Sequence, residues 1–167
     1  MLSTTFCKIK MKNPTRLASG VLGVNAASLI RVAKEGAGAV TLKSVGPKGR
    51  EGHNNPTVID LENGSMLNAV GLPTPGYRNM DEEMEELKVL KKMKVPLIGS
   101  LYGTVAAEFR EVAEWMVQHK PDAIELDISC PNAEWGGTQY ACDPAMSTKI
   151  VSDVKEDAGK IHVIAKM

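Results

Sequence analysis

Short apolar runs that each end on polar residues, with helical stretches between them, limit this chain most. Residues 39–43, 95–101, 123–129 and 161–166 are such runs, and residues 16–20 form a shorter one ending in Ala18-Ser19-Gly20. Strands buried on both faces lose the apolar–polar alternation of a half-exposed strand, and a strand–helix–strand order joins them in parallel. The expected core is therefore a parallel α/β sheet of about five strands. Ahead of it, residues 4–12 alternate around Phe6, Ile9 and Met11 and stop at Asn13-Pro14, which predicts a short hairpin.

The connecting segments carry helix signals. Asn25 is a candidate cap for a helix to about residue 34, with Ala27, Ile30 and Ala33 near one face and Gly36 and Gly38 ending it. Residues 81–94 start with Asp81, Glu82 and Glu83 and finish with Lys91, Lys92 and Lys94, the charge order that a helix dipole favours. Thr104 is the expected cap of a helix to residue 120, with Phe109, Val112, Ala113 and Met116 on its apolar face. Asp143-Pro144 opens a last helix. Residues 45–79 contain Pro47, Pro56, Pro73 and Pro75 and show no helical period, so they read as a long loop with a functional reason to exist.

Two architectures compete, the open doubly wound sheet and the (β/α)₈ TIM barrel. No G-x-G-x-x-G follows the first strand, which weakens the dinucleotide-binding version of the open sheet. The strands instead end in scattered polar groups: Ser19, Lys43, Ser100, Asp127 with Ser129 and Cys130, and Lys166. That is what a barrel needs at its active-site face. A whole barrel takes about 250 residues. A chain of 167 is therefore expected to be a partial barrel of about five strands plus the hairpin.

Charge excludes some roles. Lys and Arg total 20, as do Asp and Glu, so no basic footprint for nucleic acid exists. No apolar run approaches the roughly 20 residues of a membrane span, and the N-terminus lacks the apolar stretch of a signal peptide, so the expected location is cytoplasmic. Cys7, Cys130 and Cys142 are odd in number and form no C-x-x-C pair, which argues against zinc, an iron–sulfur cluster or a disulfide framework in this chain.

The densest chemical segment is Glu125-Leu126-Asp127-Ile128-Ser129-Cys130-Pro131-Asn132. A thiol just past a strand can act as nucleophile or proton acceptor. Spacing alone favours a small thiol buried under a loop, and the same reading is kept for Cys7 and Cys142. Lys43 and Lys166 each end an apolar strand, where an ammonium needs an anion or water. One alone is as easily a lysine reaching the rim; two facing one pocket would mark a site. Asn68, in a Gly/Pro-rich stretch, offers a donor and an acceptor together, though Asn is also common in turns. Gly136-Gly137 is either a lid hinge or a turn. His53, His119 and His162 have no partner spacing and read as surface or loop residues, and residues 88–94 as a solvated helix end.

Taken together, Ala18-Ser19-Gly20, Thr41-Leu42-Lys43-Ser44, Asn68-Ala69-Val70-Gly71-Leu72, the Cys130 segment and Ile164-Ala165-Lys166 occur in the order seen in class 1 dihydroorotate dehydrogenases. The chain resembles the N-terminal half of that family, with the NAD-linked class 1B branch of archaea nearest. The resemblance covers the whole chain. It implies a (β/α)₈ barrel carrying FMN at the carboxyl ends of its strands, and oxidation of dihydroorotate to orotate in pyrimidine biosynthesis. It implies flavin contacts from Ala18, Ser19, Lys43, Ser44, Ser100, Asp127 and Lys166. Lys43, Asn68, Asp127 and Asn132 would hold the substrate, and Cys130 would take the proton from C5 while a hydride leaves C6 for flavin N5. A separate subunit with FAD and an iron–sulfur cluster would pass electrons to NAD, and the full-length parent would be a homodimer.

Two positions depart from the pattern. Asp127 stands where the family usually has asparagine, and an ionised aspartate only accepts hydrogen bonds and repels an anion. Ser100 stands where class 1B relatives often carry asparagine. Asp127 keeps a flavoenzyme of the dihydropyrimidine dehydrogenase kind open as an alternative, with a half-barrel interaction module as a second. A barrel stopping after five strands would expose sheet edges and an apolar interior, so residues 1–167 are expected to be the N-terminal part of one FMN-binding barrel domain, inactive by itself.

Overall fold

The computed structural model describes residues 2–129 and 137–167. The predicted hairpin is present: β1 (Thr4–Phe6) pairs antiparallel with β2 (Ile9–Met11). Its turn residues Cys7 and Lys8 both have left-handed backbones, φ 46° and 64°. Ile9 and Met11 point inward, and Ile9 packs on Ile98 and Ala123, with Phe6 and Ile164 alongside. The hairpin thus covers one end of the main sheet.

That sheet contains β3 (Arg16–Leu17), β4 (Ala39–Thr41), β7 (Leu97–Leu101), β8 (Ala123–Asp127) and β9 (His162–Lys166), all parallel and neighbouring in chain order. The strands between β4 and β7 form a separate antiparallel pair, β5 (Val58–Asp60) and β6 (Met66–Asn68). A doubly wound sheet reverses its strand order at a switch point; this one never does. The helices follow the same sequence side by side. These are α1 (Ala26–Lys34), α2 (Asp81–Leu87), α3 (Val89–Met93), α4 (Ala106–Gln118), the short α5 (Gly137–Cys142) and α6 (Pro144–Ala158). α1 packs on α2 and α3, Trp115 of α4 binds Asp81 of α2, and α4 packs on α6.

One layer of helices therefore faces one side of the sheet, and the sheet curls. Ser44, three residues past β4, and Asp127 of β8 are two strand intervals apart, roughly 10 Å on a flat sheet. Their short side chains nevertheless meet at 3.2 Å. Sequential parallel strands, a single helix layer and curling make this a partial (β/α)₈ barrel, as predicted.

Residues alternate between the two faces along each strand. On β8, Ile124 and Leu126 join the helix-side core, while Ala123, Glu125 and Asp127 face the other way. Arg16 of β3 reaches across that inner face to Glu125, Nη1 to Oε2 at 3.0 Å, and lies over the Phe6 ring.

Several local expectations are corrected. The buried face of α1 is Ala26, Leu29 and Ala33, with Ala27 exposed; Asn25 caps it as predicted, accepting from Ser28 N. Residues 81–94 form two helices separated at Lys88, and Lys94 ends the second in a left-handed conformation. Thr104 does not cap α4. Its amide and hydroxyl both donate to Glu108 at 2.6 Å, so the carboxylate in the first turn reaches back instead. Asp143 does cap α6, accepting from Ala145 N and Met146 N. Cys7 and Cys142 are exposed thiols rather than buried ones. His119 is not a surface residue: it packs edge-on to Trp115, its Nε2 3.3 Å from Asp81.

The long loop contains the β5–β6 hairpin, and periodicity missed it because every residue of both strands is exposed. The available signal was Asn63-Gly64 between two β-forming runs.

α4 and α6 are tied by a bidentate pair in which Arg110 Nε and Nη2 donate to the Asp157 carboxylate at 2.8 and 2.6 Å. Arg110 holds the Asp157 carboxyl below its ordinary value of 3.8. A carboxyl depressed in the fold contributes stability above the unfolded value, and that contribution is lost as pH falls through the folded one. Asp157→Asn is expected to be less stable than the parent at pH 7, with the gap closing below the ordinary carboxylate range. Thermal melts from pH 7 to 3 check this, and a gap independent of pH would sink it.

Candidate functional site

A cleft of about 520 Å³ opens at the carboxyl ends of the strands. Its floor comes from strand ends and its walls from loops. The loop after β3 supplies Ala18, Ser19, Gly20, Val21 and Leu22. Lys43 N donates to Gly23 O at 2.8 Å, which ties this loop to the end of β4. Gly23 is required there: a Cβ on it would lie 2.7 Å from the Thr41 carbonyl oxygen.

The opposite wall is the β5–β6 hairpin and the stretch after it, with Val58, Met66, Asn68, Val70, Gly71 and Leu72. This wall is anchored by the backbone pairing of Arg50 with Thr74 and by Arg50 Nε, which donates to Gly71 O at 2.7 Å. Gly71 sits at φ 77°, and a Cβ there would meet the His53 ring and backbone.

Polar groups converge on the floor. Lys43, Ser44, Asp127 and Lys166 all line the cleft. Lys166 Nζ lies 3.3 Å from Asp127 Oδ2, and the Ser44 hydroxyl donates to the same oxygen at 3.2 Å. Beneath them Ser100 Oγ is 3.0 Å from Ser44 Oγ. A chain Ser100–Ser44–Asp127–Lys166 thus crosses the ends of four adjacent strands. Ser100 is fully buried and is not among the cleft-lining residues. Asp127 is buried at 4% exposure, and its Oδ1 has no hydrogen-bond partner among the described residues.

Of the residues singled out from sequence, Ala18, Ser19, Lys43, Ser44, Asn68, Asp127 and Lys166 are brought to this one cleft, and Ser100 lies under it. Cys130, Asn132 and Gly136 lie outside the described residues. Sequence reasoning missed the apolar walls, Val21 and Leu22 on one side and Val58 and Met66 on the other. These apolar residues are at least partly solvent-facing. Such a pattern in a loop has no signature until the loop's position is known.

A family model described as dihydroorotate dehydrogenase matches residues 1–167. The chain belongs to the dihydroorotate dehydrogenase family. Among curated relatives, dihydroorotate dehydrogenase B (NAD(+)), catalytic subunit, of Methanosarcina mazei is 46% identical over 156 residues, 93% of this chain and 49% of the relative. The protein of the same name from Methanocaldococcus jannaschii is 46% identical over 168 aligned residues, 100% of this chain and 54% of the relative. That of Pyrococcus abyssi is 39% identical, covering 100% and 54%. The chain spans about half the length of the curated relatives it matches.

Within a dihydroorotate dehydrogenase fold the cleft has the expected place, at the carboxyl end of the barrel strands. Among the described residues no helix is long and apolar enough to cross a membrane, and no cluster of three or more His, Cys, Asp or Glu is placed to hold a metal.

Proposed function

We propose that the cleft holds FMN and a dihydroorotate ring, and that residues 1–167 belong to one FMN-binding barrel domain that oxidises dihydroorotate to orotate in pyrimidine biosynthesis. The observation that carries this reading is the convergence of two strand-end lysines, Lys43 and Lys166, on one cleft. Either alone is explicable as a lysine reaching for water. Two cations on one floor between apolar walls suit an electron-rich planar ring and an anionic substrate.

The residues present fit the cofactor. The cleft volume is in the range of small-molecule sites, and Val21, Leu22, Val58, Met66 and Leu72 supply apolar wall for a flat ring. Ala18, Ser19, Ser44 and Lys166 would hold FMN, with Ser100 supporting Ser44 from below. When bound, FMN supplies a two-electron acceptor for the hydride that leaves C6. Lys43, Asn68 and Asn132 would hold the substrate's carboxylate and ring amides, and Cys130 would accept the C5 proton. A thiol is suited to that work only as thiolate, so its rate is expected to rise with pH through the thiol's ionisation. Electrons would leave for NAD through a separate subunit carrying FAD and an iron–sulfur cluster; the words "catalytic subunit" in the relatives' names support a partner of that kind. A homodimer in the cytoplasm completes the reading.

Because residues 1–167 alone are expected to be inactive, the test joins them to the remaining half of the Methanocaldococcus jannaschii relative and records the absorption spectrum with added FMN, before and after anaerobic dihydroorotate. A bound yellow flavin that bleaches is expected, and Cys130→Ala should keep the colour but slow bleaching by about 10²–10⁴-fold. A completed barrel that retains no flavin, or bleaching unaffected by Cys130→Ala, would contradict the assignment.

A further inference from the structure

Asp127 and Lys166 are held side by side by the backbone. They are register partners on the parallel strands β8 and β9, and Lys166 Nζ lies 3.3 Å from Asp127 Oδ2. Neighbouring strands keep a fixed spacing of about 5 Å, so the pair does not depend on the position of a loop. The Ser44 hydroxyl donates to the same Oδ2, and Ser44 is steadied by the fully buried Ser100, which leaves the carboxylate little freedom to swing out. The other oxygen, Oδ1, is buried without a hydrogen-bond partner among the described residues. Asp127 is 4% exposed, whereas the Lys166 side chain is 41% exposed and lines the cleft. A charge buried as deeply as that of Asp127 is screened little by salt. A ring seated against Lys166 therefore meets an ammonium with a fixed carboxylate beside it.

We propose that Asp127 tunes the reduction potential of the flavin through Lys166, holding it lower than the lysine alone would. The role rests on the reading of the cleft as the flavin site proposed above. Reduction by the substrate adds two electrons and one proton to the ring, which leaves the ring with one negative charge; the oxidised ring has none. A cation against the ring favours the reduced form and so raises the potential. A carboxylate 3.3 Å from that cation opposes the same developing charge and lowers the potential again. Asp127 works through Lys166, which makes it a positioning residue and not a catalytic one. The outcome is a flavin that gives up its electrons more readily, as a low-potential acceptor requires.

The experiment is an anaerobic spectroelectrochemical titration of FMN bound to the completed barrel, with a fluorescence titration of oxidised FMN beside it. In Asp127→Asn, which keeps the shape and removes the charge, the midpoint potential is expected to rise by about 30 mV or more. For a two-electron couple that is about a tenfold gain in the holding of reduced over oxidised flavin. The dissociation constant of oxidised FMN should change by less than about threefold, because the oxidised ring has no charge for Asp127 to oppose. Asp127→Ser, smaller and also neutral, should shift the potential the same way, and it carries the test should the asparagine variant fail to fold. A smaller rise, a fall, or two variants that move in opposite directions overturn the proposal. So does a rise that comes only from weaker binding of the oxidised flavin, which a merely structural role would produce. A completed barrel that takes up no flavin overturns the flavin reading and the role of Asp127 together, whereas a bound flavin whose potential does not move overturns the role of Asp127 alone.

Discussion

Replacing Arg16 by methionine is expected to lower the unfolding free energy by about 3 kcal/mol, because it strands a buried carboxylate. Glu125 has a side chain only 2% exposed and sits on the inner face of the sheet, where Arg16 is its ion-pair partner. Its other oxygen, Oε1, already lacks a hydrogen-bond partner among the described residues. Attraction between two buried charges often does little more than offset their desolvation, but deleting one partner leaves the other's desolvation uncompensated. The same loss also removes the guanidinium from the Phe6 ring, 4.9 Å away, and so loosens the N-terminal hairpin. Urea denaturation measures the effect. The double variant Arg16→Met, Glu125→Leu should recover most of it, since two apolar groups restore a consistent interior. A single variant that costs under about 1 kcal/mol would show that water reaches Glu125.

Phe109→Ala should be of similar or greater severity, about 3–5 kcal/mol. Phe109 is fully buried on the sheet-facing side of α4 and meets Tyr140 edge to face, the ring centroids 6.0 Å apart. It also fills the space beside Gly103, where even a Cβ would lie 2.8 Å from its ring. Truncation loses the transfer of the phenyl group and leaves a void that a rigid sheet and helix fill poorly. It also frees Tyr140, whose hydroxyl donates to Thr104 O at 2.5 Å just before α4. The test is again the denaturation midpoint, with Phe109→Leu as the milder control. Equal losses for leucine and alanine would mean that ring volume is not what matters.

Much of the architecture was legible in the chain because its signals are local. Apolar runs at β4, β7, β8 and β9 and the Asn25 and Asp143 caps depend on residues a few positions apart. The strand-end polar groups were legible for a related reason. A polar residue just past a buried strand has few places to go except the rim, and this holds for Lys43, Asp127 and Lys166 alike. Where those signals misled, a competing contact had intervened or no buried face existed. Thr104 yields to Glu108, His119 is drawn in by Trp115 and Asp81, and the exposed β5–β6 hairpin has no buried face to imprint a period.

By itself, then, the sequence determined the order of the main-sheet strands and of most helices between them, the barrel class and the polar strand-end residues of the cleft, since burial and backbone preference along the chain mark them. Only the tertiary structure decided how those residues meet. The curl of the sheet brings Ser44 to Asp127 across two strands, joins Asp127 to Lys166, sends Ser100 beneath the floor and carries Arg16 to Glu125 across the inner face. The physical reason is that strand identity is written in neighbouring residues, whereas curvature is a property of the closed packing of hairpin, sheet and helices. The charge that a ligand meets in this cleft is a sum over side chains that only that packing assembles.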